Sequence, residues 1–164
     1  MTPPTSLASA VGSWAAFYDA HHVVSVTVRY LHLAGLMVGG GTALATDRRL
    51  LKAARAGGTE RATTLAALAA SHRVVVPALA IVAATGALMA TADTATFFAS
   101  RLFWGKLGLV TLLLLNGLGL LAAEAAASRG DGTRGWGRLR AGAAASLVLW
   151  LLILYAGVWL TVAA

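Results

Sequence analysis

Apolar residues gather into four long stretches, at about 23–46, 73–91, 102–123 and 141–162, divided by short polar or basic segments. Each stretch approaches or exceeds the roughly 20 residues that carry a helix across the ~30 Å hydrocarbon layer of a bilayer. The pattern predicts an all-α membrane protein: a four-transmembrane-helix bundle in one domain, residues 23–164. Before it, residues 1–22 read as a short interfacial segment rather than a cleavable signal, because no basic n-region precedes the apolar positions. Leu7, Val11, Trp14 and Tyr18 recur there at helical spacing, as in an amphipathic helix lying on a membrane surface.

Details within the stretches set further expectations. Gly35 and Gly39 stand at small-xxx-small spacing, which lets a neighbouring backbone come close. Residues 59–92 read as one helix, with Gly57-Gly58 as the break before it, Thr59 as N-cap and Pro77 kinking it. Asp93 to Ser100 reads as a polar connection, and Arg129 to Arg140 as a Gly-rich basic loop. Asn116 shares a helical face with Gly105, Gly108, Leu112 and Gly119, and reads as packing glue between helices.

Composition agrees with the pattern. Of 164 residues, 59% are hydrophobic and 12% charged. There is no cysteine, which excludes disulfides, thiolate metal sites and cysteine nucleophiles. The net charge is +7, yet ten of thirteen Lys and Arg residues fall in two segments, Arg48–Arg73 and Arg129–Arg140. Cations collected between apolar stretches follow the positive-inside rule, so the basicity reports topology rather than nucleic acid. Both basic segments are expected in the cytoplasm and both termini outside a bacterial inner membrane.

The first stretch alone holds ionisable residues near its middle, Arg29 and His32, which makes it the leading functional candidate. At ~1.5 Å per residue, His32 stands about 22 Å from Asp47, and Lys106 about 27 Å from Glu124. The two share a level in the outer half of the bilayer and can hold one ligand between them. His22, Ser25, Arg29 and His32, spaced by three or four, form a polar stripe, and Arg101, Lys106 and Asp93 surround its outer end. At the opposite edge Asp47, Arg48, His72, Arg73, Glu124 and Arg140 suggest a ring of salt bridges, or a proton path.

Spacing also excludes. His32 and His72 differ by about 20 Å in level, and the last two stretches contain no histidine, so one chain does not build a bis-histidine haem site. A haem would use His32 with another or vacant sixth position, or two copies of His32 across a dimer. Met37 faces away from His32 and Met89 stands alone, which weakens a copper path. The glycines at 39–41 lie inside a span and form no phosphate loop.

The segments YLHLAGLMVGGGTALATDRRLL and RLFWGKLGLVTLLLLNG, with the Thr85-Gly86 pair between them, resemble a group of bacterial four-helix membrane proteins. More distantly, over about residues 26–124, they resemble copper resistance protein D-type domains and the membrane-bound protoporphyrinogen oxidase family. In the oxidase family a first-span His and a later-span Lys serve haem b binding and activity. His32 and Lys106 match that pattern, while the family's further histidines are missing here. The resemblance implies a haem or tetrapyrrole ligand more than any particular reaction.

Three functions follow as expectations. The first is a haem b redox protein with His32 on the iron and Arg29, Lys106 and Arg101 pairing with propionates or a quinone oxygen. The second is a non-enzymatic membrane subunit, packing as a homodimer or within a larger complex. The third is a small permease for copper or a similar solute.

Overall fold

The computed structural model describes residues 6–55, 59–129 and 132–163, and all of its regular structure is helical. The elements are α1 (Ser6–Ala20), α2 (His22–Gly35), a π turn (Leu36–Gly40), α3 (Gly41–Ala53), α4 (Thr59–Ala92), α5 (Thr94–Ala99), α6 (Arg101–Ser128) and α7 (Gly132–Ala163). The α2–π–α3 run is one helix, which we call the first rod. With α4, α6 and α7 it makes four helices long and apolar enough to cross a membrane.

The first rod lies between α4 and α7, and α6 packs along α7. The fourth side of the bundle is different: α4 and α6 make no extended contact. Small residues set the closest approaches. A Cβ on Gly39 would fall 2.8 Å from the Cβ of Ala78, and one on Gly35 would fall 2.8 Å from a methyl of Val82. The small-xxx-small pair therefore does bring the first rod against α4. Gly40 performs the same service toward α7, where a Cβ would meet the Trp150 ring at 3.1 Å.

Two apolar clusters fill the interior. One, at the basic end, joins Leu50, Leu68, Leu120, Trp136 and Leu139. The other lies mid-bundle, where Trp150, Leu113 and Ile153 pack with Leu36 and Leu79. Much of the remaining apolar surface faces outward: Val23, Met37, Leu118, Leu151 and Val162 are all more than 60% exposed. An apolar surface of that extent does not suit water.

The structure departs from the sequence expectations at the connections. Arg134–Arg140 is helical, because α7 starts at Gly132 and buries Trp136 and Leu139. Gly135 lets that first turn rest on the α6 backbone, 3.0 Å from the Ala127 nitrogen to a built Cβ, and Arg61 lies 5.0 Å over the Trp136 ring. The connection at 93–100 holds a short helix, α5, capped by the Asp93 side chain accepting from the Thr96 N–H. Gly105, Gly108 and Gly119 face open space, so these glycines of α6 set no close approach. Asn116 instead donates from Nδ2 to the Gly142 carbonyl at 3.0 Å, tying α6 to α7. Pro77 lies inside α4, whose first residue is Thr59; Gly57 and Gly58 lie outside the described residues. The N-terminal segment is helical as expected and leans on the far end of α4, with Trp14 Nε1–H donating to the Leu88 carbonyl at 2.9 Å.

Candidate functional site

His32 is half-buried on the face of α2 that meets α4. Its Nδ1 lies 3.0 Å from the Thr85 hydroxyl oxygen. The single hydroxyl hydrogen of Thr85 is already committed, since Oγ1 lies 2.6 Å from the Ile81 carbonyl one turn back. Thr85 can therefore only accept from the imidazole. The Val82 backbone also takes a hydrogen bond from the ring, and a proton on Nδ1 satisfies this seat with Nε2 left as the lone-pair nitrogen. Gly86 completes the seat, because a Cβ there would fall 3.3 Å from His32 Cε1. The Thr85-Gly86 pair thus supplies the acceptor and the space beneath the ring.

Lys106 enters from the other side of the bundle. It is half-buried on α6, and its ammonium rests against α7, with Nζ 3.5 Å from a Cβ built on Gly157. The first and third spans thus bring an imidazole and an ammonium within electrostatic reach of each other. α2 makes no extended contact with α6 or α7, so this end of the bundle is looser than the basic end.

Not every residue expected at this end joins them. Arg29 and Arg101 are exposed, as is His22. Ser25 turns its hydroxyl onto the His22 carbonyl of its own helix. The polar stripe is thus split: α2 offers Val28, His32 and Gly35 to α4 and leaves Arg29 outside. Met37 is 78% exposed, so His32 and Met37 do not make a metal pair. Among the described residues no group of three or more His, Asp or Glu side chains is placed to hold a metal ion.

At the basic end the ring of salt bridges does not form. The ion pair the structure shows there is His72 with Glu124, whose Nδ1 and Oε2 are 3.9 Å apart and bridge α4 to α6. Arg48, Arg73 and Arg140 are exposed. Asp47, expected among them, is turned inward: it is 3% exposed, takes a hydrogen bond from Ser146 of α7, and leaves Oδ2 without a partner. Sequence reading placed this carboxylate at an edge because Arg48 and Arg49 follow it. The helix continues to Ala53, so Asp47 faces inward while its neighbours face out.

Between the two polar levels lies an apolar floor. The Trp150 ring, 3% exposed, packs on Gly40 and with Leu113 and Ile153. Gly40 is eight residues below His32 and seven above Asp47, so the floor divides the bundle near its midpoint. No family model, curated protein or solved structure matches the chain, so the two levels are read from their geometry alone.

Proposed function

We propose that this chain is a multi-pass protein of the bacterial inner membrane that binds haem b through His32. In this reading both termini are outside, the basic segments are cytoplasmic, and the His32 level sits in the outer half of the bilayer. The observation that carries it is the hydrogen bond from His32 Nδ1 to a threonine whose own hydrogen is spent. A metal-bound imidazole is ordinarily oriented in this way, one nitrogen anchored to a second-shell acceptor and the other free for the metal. Lys106 suits the pairing of an anionic propionate, since its ammonium faces no carboxylate partner in the described bundle. Arg29 and Arg101, exposed at the same end, would add to the positive field around the propionates.

The chemistry that haem supplies when bound is one-electron transfer. The protein's own part would be to present the His32 Nε2 lone pair to the iron and the Lys106 ammonium to the propionates. His32 is the only histidine at its level in the sequence, so any further protein ligand would come from a non-histidine side chain or from the His32 of a second copy.

An absorption spectrum tests the reading. Detergent-purified protein supplied with haem should give a Soret band that His32→Ala abolishes. Thr85→Val, which removes the Nδ1 acceptor and keeps the shape, should weaken haem affinity about 10- to 100-fold. A wild type with no Soret band, or a band unchanged in His32→Ala, sinks the proposal and leaves a cofactor-free membrane subunit.

A further inference from the structure

Beneath the Trp150 floor the open side between α4 and α6 leads into a cavity of about 200 Å³. Its α4 and α6 rims are apolar and exposed at Val76, Leu114 and Leu118, so the mouth faces sideways between those helices. At the cytoplasmic end of the cleft the His72–Glu124 pair bridges the same two helices. Asp47 lies among the lining residues of the first rod.

The hydroxyls and the carboxylate around Asp47 present lone pairs to this cavity, while Asn116, which also lines it, gives one Nδ2 hydrogen to the Gly142 carbonyl. The Thr46 hydroxyl donates to the Thr42 carbonyl at 2.9 Å and the Ser71 hydroxyl to the Leu68 carbonyl at 2.7 Å, so each offers only lone pairs to the space. Ser146 spends its hydrogen on Asp47. Asp47 Oδ2 is buried with no partner, and no cation of the described chain pairs with this carboxylate. A buried carboxyl oxygen without a donor is costly, and a ligand that brings hydrogens and positive charge removes that cost. The indole of Trp150 also lines the cavity, and an aromatic ring is a favourable neighbour for a cation.

We infer that this cleft is a binding site for an amphipathic ammonium ion, a protonated primary amine with an apolar body. The ammonium group donates to Asp47 Oδ2 and to the lone pairs of Thr46 and Ser71, while the body lies along the leucines and valines of α4 and α6. The carboxylate makes the site selective for charge, and the lateral mouth admits a ligand dissolved in the membrane. The site is separate from His32 and stands whether or not haem is bound there.

Calorimetric titration of the detergent-purified protein with 2-phenylethylammonium chloride tests this, with neutral 2-phenylethanol as the control. Saturable 1:1 binding is expected for the amine, with the alcohol at least tenfold weaker. Asp47→Asn should weaken amine binding at least tenfold while leaving any Soret band in place. Gly117→Leu gives an independent check. Gly117 lines the cavity and a Cβ there meets nothing within 4 Å, so a larger side chain has room to occupy that space while Asp47 itself is unchanged. It too should abolish binding, with folding verified by circular dichroism and gel filtration. Absence of binding to wild type overturns the inference. So does equal binding of amine and alcohol, or binding that survives Gly117→Leu or a folded Asp47→Asn.

Discussion

Single atoms decide how the first rod meets α4. At Gly39 the obstacle to a side chain is the Cβ of Ala78, which is fixed to its backbone and cannot turn away. Gly39→Ala therefore forces the helices apart, and overpacking of this sort costs about 1–3 kcal/mol. Gly108 makes the comparison clean: a Cβ there meets nothing, so Gly108→Ala should be neutral or should stabilise by up to about 1 kcal/mol through helix propensity. Thermal unfolding in detergent measures both, and equal melting temperatures for the two variants would refute the close-packing account. His32 shows a different economy. Its sequence context marked it as functional, but the role of Thr85 could not be read there, because a 53-residue separation becomes a hydrogen bond only once α2 and α4 are docked. The Thr85-Gly86 pair of α4 was the available signal, and Gly86 provides the room that makes the contact possible.

At the scale of elements, α7 carries the plainest record of the fold. Its buried residues besides Gly135 are Trp136, Leu139, Ala143, Ser146, Trp150, Ile153, Ala156 and Leu160, a run of threes and fours with no outward-facing interruption. That seam was legible in the sequence, including the part taken for a loop. The glycines and arginines of 132–140 obscured it, since glycine composition argues for a turn where the spacing of Trp136 and Leu139 argues for a helix. Trp150 is the member of the seam on which the middle of the bundle depends. Replacing it with alanine removes the floor between the two polar levels. Truncating a large buried aromatic costs about 3–5 kcal/mol in water-soluble cores. Here about 3 kcal/mol is the better expectation, because lipid is as apolar as the interior and transfer adds nothing. Equilibrium unfolding in detergent reads the loss. A variant as stable as wild type would mean that neighbouring side chains collapse into the space, and that the floor is not a fixed partition.

For the whole molecule, helix length and charge together bear on the proposed orientation of the bundle. α4 has 34 residues and α7 has 32, or roughly 50 Å of helix each. A hydrocarbon layer of about 30 Å takes up only some 20 residues of each. The surplus lies at the basic end, where Arg61, Arg134 and Arg138 precede the apolar stretches and where Leu50, Leu68, Trp136 and Leu139 form a cluster of their own. The bundle thus reads as a membrane-embedded part continued by a compact basic collar, the collar being the portion that keeps an apolar core of the ordinary kind. Ten of thirteen cations lie in or beside the collar, and under the orientation proposed above the positive-inside rule assigns it to the cytoplasm. The absence of cysteine makes this directly measurable, because a single introduced thiol is the only one in the chain. Arg49, Asp93 and Arg138 are all exposed, the first and last on the collar and Asp93 at the opposite end of α4. In intact cells a membrane-impermeant maleimide should label Asp93→Cys once the outer barrier is permeable, and should reach Arg49→Cys and Arg138→Cys only after the inner membrane is opened. The reverse pattern would invert the bundle, moving His32 toward the cytoplasm and the Asp47 cleft toward the outside. Labelling of all three in intact cells would mean that the chain does not cross the membrane at all.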